Sequence, residues 1–363
     1  MKKVLFTATV DSHILHFHIP YLKLFKEKGY EVHVATNGDE KIPYCDVKHK
    51  ITFERSPYKL NNLKAIRQLR KIVNEEKFDI IHTHTPMGSV VTRLASIKAR
   101  KKGTRVIYTA HGFHFYKGAS KLNWLLFYPV EKFLSKYTDC LITINKEDYE
   151  LAKNKFKKCK QIEYVPGVGI DEEKFNFKMT VKEKNDLRKS LGLKKDDFVL
   201  IQVGELNENK NQIMAIEAMR ENVKKNKNIH LLLAGTGVLE DFYKEKIKEY
   251  NLEDNVHLLG YRKDVPRLLK ISDVAISVSI REGLGLNLIE AIYCGLPVIA
   301  TKNRGHSDIV NDQNGILIDF SIFQLHEKIF YYNHKHFNIN KNTVSKFLLK
   351  NIINKMIFIY ELE

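Results

Sequence analysis

Short apolar runs alternate along the chain with segments whose apolar residues recur every three or four positions. In the first half, Val4–Val10, Glu31–Ala35, Ile80–His84, Val106–Ala110 and Leu141–Asn145 read as strands. Helical spacing is found near Ile19–Lys28, Asn62–Glu76 and Gly88–Lys101, and again from about Lys146 to Lys158. Tyr164-Val-Pro-Gly-Val-Gly-Ile-Asp then breaks the rhythm with one proline and two glycines. The alternation restarts after a charged helix over Val181–Leu191. Strands are predicted at Phe198–Val203, His230–Ala234, Val256–Leu259, Val274–Ser279 and Pro297–Thr301, with helices at Asn211–Glu221, Leu239–Tyr250 and Val265–Ile271. Strand and helix in alternation build a parallel sheet covered on both faces. The fold class expected is therefore α/β, with two Rossmann-like parallel-sheet domains facing a cleft. Their bounds are set at residues 1–166 and 167–342. A last helix over 343–363 is predicted from the helical spacing of Val344, Phe347, Leu348, Ile352, Ile353, Met356 and Ile357.

One segment carries more chemistry than any other. In Arg281-Glu-Gly-Leu-Gly-Leu-Asn-Leu-Ile-Glu290, two carboxylates, Glu282 and Glu290, stand eight residues apart around a Gly-x-Gly turn that opens a helix. Glycines let a backbone approach a ligand closely, and a helix N-terminus offers N–H groups to phosphate oxygens. The flanking carboxylates can accept hydroxyl protons from a sugar or a ribose. A Gly-x-Gly turn alone is common, but this one lies between two apolar strands, where open parallel sheets hold their ligands.

Composition and charge narrow the partners. The chain has 363 residues, 44% of them hydrophobic, which suits two full cores. Its apolar start is too short for a signal peptide, and no run of 18 apolar residues is present to span a bilayer. Cys45, Cys140, Cys159 and Cys294 lack metal-site spacing and read as reduced thiols, which agrees with a cytoplasmic setting. The net charge of +17 is lopsided: residues 1–170 carry 31 Lys and Arg against 16 Asp and Glu. A basic half beside the aromatic segment Lys121-Leu-Asn-Trp-Leu-Leu-Phe-Tyr-Pro-Val suits an anionic membrane surface, although an internal helix explains that segment equally well. No nucleic-acid motif accompanies the charge.

The motifs in order resemble those of family 4 glycosyltransferases, retaining enzymes of the GT-B fold, and among them the members that build capsules and exopolysaccharides. The resemblance rests on the Glu282–Glu290 element and the Gly-Leu-Pro-Val-Ile-Ala-Thr301 that follows it. It extends to Val203-Gly-Glu-Leu-Asn-Glu-Asn-Lys210, to Tyr108-Thr-Ala-His-Gly-Phe-His-Phe115 and to the N-terminal stretch through His16 and His18. It covers about nine-tenths of the chain and is weakest after residue 320. It implies that the last helix, over 343–363, returns to pack on the first domain, and it implies roles for particular residues. Lys210 would neutralise the leaving diphosphate. Glu282, with the backbone of Gly283, Leu284, Gly285 and Leu286, would hold the donor sugar and phosphates, and Glu290 the ribose hydroxyls. His111 would stand near the donor sugar and the acceptor hydroxyl. Where the family carries an arginine just after Gly204, this chain has Glu205, so Arg304 is the substitute candidate. Tyr261 and Arg262 are placed near the base, and Asp11, His13, His16 and His114 on the acceptor side. No metal or other cofactor is expected.

The function so implied is transfer of a sugar, an N-acetylhexosamine in the first instance, from a UDP-sugar donor to a polyprenyl-diphosphate-linked sugar acceptor. The enzyme would lie peripherally on the inner face of the plasma membrane. Two alternatives stand beside it: a UDP-sugar epimerase-like enzyme of the same double fold, and a transferase using a soluble acceptor. A dinucleotide oxidoreductase is disfavoured because Gly-x-Gly-x-x-Gly is absent after the first strand.

Overall fold

Seven parallel strands make the first sheet: β1 (Lys3–Val10), β2 (Glu31–Asn37), β3 (Val47–Lys50), β4 (Ile80–Thr83), β5 (Arg105–Ala110), β6 (Cys140–Thr143) and β7 (Gln161–Tyr164). They lie in the order β3-β2-β1-β4-β5-β6-β7. Alternation along β1 sends Val4, Phe6 and Ala8 into one core layer. Leu5 points into the other, against Ala65, Leu69 and Val73 of the helix Asn61–Glu76. Both faces are covered, so Val4, Leu5 and Phe6 of β1 form a continuous apolar run, and Thr7 and Thr9 are buried with them. The computed structural model describes residues 1–335 and 337–362. Contact between elements divides them into two units, Met1–Val168 together with the chain from Ile352 on, and Gly169–Asn351.

The second unit holds six parallel strands: β8 (Phe198–Val203), β9 (Ile229–Ala234), β10 (Val256–Gly260), β11 (Val274–Ser277), β12 (Val298–Thr301) and β13 (Gly315–Ile318). Their order is β10-β9-β8-β11-β12-β13. In each unit the direction of strand succession reverses once, between β1 and β4 and between β8 and β11. At such a point the loops leaving the carboxyl ends part in opposite directions and open a crevice.

Several elements depart from the sequence-based expectation. The edge strands β3 and β7 and the apolar β13 were not foreseen. β3 and β7 are four residues long, half-buried and largely polar, so they carry little periodic signal. Asp11–Phe17, where the sequence pattern predicts no element, is a short helix. The predicted helix over 343–363 is two elements. A 3-10 turn, Lys341–Phe347, buries Val344 and Phe347 in the core of the second unit. Leu348 is extended, with φ −70° and ψ 140°, and the helix Leu349–Tyr360 then buries Ile352, Met356, Ile359 and Tyr360 in the core of the first. The two stretches were read as one because their apolar spacing happens to stay in phase across the break.

Candidate active site

In the second unit the loops after β8 and β11 are stitched together at the crevice. Asn209 Nδ2 donates to the Arg281 carbonyl at 3.0 Å, the Ile280 amide to the Asn209 carbonyl at 2.8 Å, and Asn287 Nδ2 to the Val203 carbonyl at 3.2 Å. This lacing brings Lys210 Nζ to 2.5 Å from Glu282 Oε1. Lys210 is itself positioned by its backbone. Its amide donates to Asn207 Oδ1 at 2.9 Å, and its carbonyl accepts from Gln202 Nε2 at 2.9 Å. Glycine is required close by. A Cβ on Gly235 would lie 2.0 Å from the Gly204 carbonyl oxygen, and one on Gly305 would lie 2.9 Å from that of Glu282. The Gly305 contact sets Arg304, at the start of the short helix Arg304–Ser307, next in sequence to the residue pressed on Glu282.

His306 belongs to this assembly, and the sequence reading did not single it out. Fully buried, it hydrogen-bonds the Thr301 carbonyl through Nδ1 at 2.8 Å, which fixes the proton on that nitrogen. Nε2 meets the Ser277 hydroxyl at 3.1 Å. Burial lowers its pKa, against the pull of the Glu282 charge, so the ring is neutral. A Cβ on Gly285 would come 3.0 Å from the ring, so His306 packs under the helix-opening glycine. Its signal in the sequence was Asn303, three residues earlier, whose side chain caps the same turn.

The remaining donor candidates are less gathered. Leu284 and Leu286 pack against the second unit's core, and Gly283 lies between Glu282 and them. Glu205 is exposed. Tyr261 is exposed, and Arg262 is engaged by Asp264 in two bonds of 2.7 Å, which diverts its guanidinium from an incoming ligand. Glu290 rides on the helix Leu286–Tyr293. Burial pushes its pKa up to about 7, with only the Lys174 charge opposing. If Glu290 takes the ribose hydroxyls as the resemblance implies, its carboxyl must be ionised to accept both hydrogen bonds, and donor affinity is expected to fall as pH is lowered from 8 to 6. A UDP-sugar carries a diphosphate diester that does not titrate in that range. Calorimetric titration with it should therefore show the slope in the native chain and a flat response in Glu290→Gln.

In the first unit a cavity of about 780 Å³ opens at the carboxyl ends of β1, β4 and β5. Its walls are mostly apolar, including Phe17, Met87, Val90, Phe113, Phe115 and Phe127, with Arg55 as a cation and Glu131 at the floor. His13, His16 and His114 line it, and His114 stacks on Phe127 with 4.7 Å between centroids. His111 follows β5. The turn after it is made by Gly112 at φ +122°, and the Phe113 amide is anchored on Asp148 Oδ2 at 2.9 Å. Burial lowers the His111 pKa to about 4, so the ring is neutral at pH 7. Asp11 is a correction to the acceptor-side expectation. Buried, it takes Thr36 Oγ1 at 2.5 Å, Lys48 Nζ at 2.7 Å and the Glu40 amide at 2.9 Å. Its carboxylate ties the end of β1 to β2, to the segment after it and to β3, and Asp11 is not among the residues lining the cavity. His82 is likewise fixed in the fold, between Tyr360 Oη at 2.7 Å and Thr109 Oγ1 at 2.8 Å.

Comparison with known proteins finds two family models on the chain. Residues 3–145 match "Glycosyl transferase 4-like", and residues 183–335 match "Glycosyl transferases group 1". The putative glycosyltransferase EpsD of Bacillus subtilis is 47% identical over 87% of this chain and 83% of its own length. The UDP-Gal:alpha-D-GlcNAc-diphosphoundecaprenol alpha-1,3-galactosyltransferase of Escherichia coli is 33% identical over 72% of this chain and 68% of its own. Among solved structures, Anabaena Alr3699/HepE in complex with UDP and glucose superimposes with a TM-score of 0.78 at 20% identity, covering 99% of this chain and all of that one.

Proposed function

The chain belongs to the family 4 glycosyltransferases of GT-B fold, and on that premise we propose that it moves a sugar from a UDP-sugar to a polyprenyl-diphosphate-linked acceptor in surface polysaccharide synthesis. The observation that carries this reading is the Lys210–Glu282 pair, held 2.5 Å apart at the strand-order reversal of the second unit. A cation is thereby aimed where a diphosphate leaves, beside a carboxylate that can accept sugar hydroxyl protons. Relatives support the choice of substrates. One is named for a UDP-galactose donor and a diphosphoundecaprenol acceptor, and a structural neighbour binds UDP and glucose.

Transfer proceeds on one face of the donor sugar. The bond from the anomeric carbon to the phosphate oxygen breaks and the acceptor oxygen bonds to that carbon. The acceptor proton passes to the departing phosphate oxygen, and Lys210 stabilises the charge that develops there. Glu282 and Glu290 orient sugar and ribose, and neutral His111 hydrogen-bonds the reacting sugar. The phosphates are neutralised by side chains, and no metal enters the step.

The lipid acceptor has its own support in the first unit. Leu122, Leu125, Leu126, Val130 and Phe133 share one face of the helix Lys121–Leu134 and are exposed, Leu125 to 72%. Leu126 and Val130 also line the 780 Å³ cavity. Lys132 and Lys136 stand over the rings of Tyr128 and Phe133 on the same segment. Apolar stripe and ammonium groups together suit peripheral binding to the anionic inner leaflet, with the acceptor drawn from the membrane. Among the described residues no helix is long and apolar enough to cross a membrane.

Incubation with UDP-N-acetylhexosamines and a polyprenyl-diphosphate-linked sugar is the test. The expected result is UDP release, an extended lipid-linked glycan and an anomeric configuration unchanged by NMR. Donor alone should give neither epimer nor free sugar. An inverted linkage would refute same-face transfer, and absence of turnover across UDP-sugars would refute the donor class.

A further inference from the structure

Behind the cavity of the first unit, four imidazoles converge with no acidic residue among them. Nitrogens of His13, His18, His84 and His111, one from each ring, all lie within 4.8 Å of one another. His18 is 1% exposed and His84 fully buried. Neither ring nitrogen of His18 has a hydrogen-bond partner, nor has Nε2 of His84 or of His13. A buried polar atom left unpaired costs about 1–3 kcal/mol, and a cation bound among these rings would take up one nitrogen of His18 and Nε2 of His13. Neighbouring His82 shows how a purely structural histidine looks here, since both of its nitrogens are satisfied by hydroxyls.

The occupant's chemistry follows from the donor set. Burial lowers the pKa of all four rings, so each keeps a lone pair at neutral pH. Neutral imidazoles suit borderline transition cations, whereas Mg²⁺ and Ca²⁺ need oxygen ligands. A tetrahedral Zn²⁺ with bonds of about 2.0–2.1 Å sets its ligand atoms about 3.3–3.4 Å apart. His111 Nε2 and His84 Nδ1 already stand at 3.4 Å, whereas His18 stacks on His84 with 3.7 Å between centroids and must turn off that ring for all four to ligate. We propose that His13, His18, His84 and His111 form a binding site for a Zn²⁺-type cation, and that occupancy inhibits sugar transfer by withdrawing His111 from the substrate.

The binding half stands apart from the transferase reading; only the inhibition rests on it. The full chain, stripped with chelator, is titrated with Co²⁺. The expected result is one equivalent bound with the intense visible bands of tetrahedral coordination, displaced by Zn²⁺ and not by Mg²⁺. His18→Phe should weaken binding at least tenfold. Glu76→Gln, which alters the separate Glu31, His33 and Glu76 cluster, should leave it unchanged. Zn²⁺ should slow transfer by the native chain, chelator should restore it, and His18→Phe should need at least tenfold more Zn²⁺ for the same effect. Native chain without the tetrahedral bands overturns the site, as does binding that His18→Phe does not touch. Should His18→Phe fail to fold, X-ray absorption of the Zn²⁺-loaded native chain decides: an all-imidazole shell upholds the site, and carboxylate oxygens in the shell overturn it. Binding without any slowing of transfer would overturn the inhibitory role alone.

Discussion

Lys210→Ala is expected to lower kcat/KM for sugar transfer by about a hundred- to a thousandfold, the usual cost of removing one preorganised group from developing negative charge. The size of the effect follows from how little freedom the side chain has. The Gly204 position approaches its methylenes, where a Cβ would come to 3.4 Å, and both backbone groups of Lys210 are bonded. Its ammonium is thus held in place beside Glu282 before any ligand arrives, as the proposed role in charge stabilisation requires. Lys210→Arg is expected to recover little, because a planar guanidinium is bulkier than an ammonium and spreads its charge over three nitrogens. The partner matters as well. Glu282 is only 9% exposed, and Lys210→Ala leaves its carboxylate without its cation. Lys210→Ala and Glu282→Gln should therefore lose much less together than the sum of their separate losses, as groups acting as a unit do. Initial rates at saturating acceptor measure this, alongside UDP-sugar affinity by calorimetry. A Lys210→Ala enzyme with native rates would remove the pair from the chemistry.

The donor loop was legible in the sequence because its chemistry is local. Gly283, Gly285, Glu282 and Glu290 fall within nine residues, between two strands whose apolar runs could be counted. The ion pair with Lys210 spans 72 positions and was not foreseen; the resemblance only assigned both residues to one donor. His306 was overlooked because its role is set by burial beneath Gly285, which no spacing reveals. Asp11 was misjudged for the converse reason: its partners Thr36, Glu40 and Lys48 arrive from β2, β3 and the segment between them, and β3 itself was not foreseen. The last segment failed at a finer scale. Apolar spacing records which residues are buried, and it cannot record that Phe347 and Ile352 are buried in different cores. The histidines show the same limit. His13 and His18 follow β1, His84 follows β4 and His111 follows β5, and only the parallel pairing of those three strands draws them together.

Glu131→Leu should be among the most destabilising changes in the first unit. Arg93, on the helix Pro86–Ala95, is 1% exposed, and its Nη1 stands 2.9 Å from Glu131 Oε2 on the helix Lys121–Leu134. Nε and Nη2 are bonded to Ser89, and the guanidinium lies 4.3 Å from the Tyr108 ring centroid. Removing the carboxylate leaves a desolvated cation whose only compensation is a carbonyl, a hydroxyl and a ring face. Breaking a buried pair this way costs about 3–5 kcal/mol. For a unit of this size that is about 10 °C in Tm. The double variant Arg93→Leu with Glu131→Leu should regain most of the loss, since an apolar pair of similar volume carries no desolvation penalty. Scanning calorimetry of the three variants measures the coupling, and equal Tm for single and double variants would show that the charge is not what the fold depends on. The same pair has a functional consequence. Tyr108 and Glu131 line the cavity assigned to the acceptor, whereas Lys210 and Glu282 lie in the other unit. At a temperature where Glu131→Leu remains folded, the acceptor KM should therefore rise while UDP-sugar affinity stays at the native value. A fall in donor affinity of equal size would mean that the cavity is not the acceptor's.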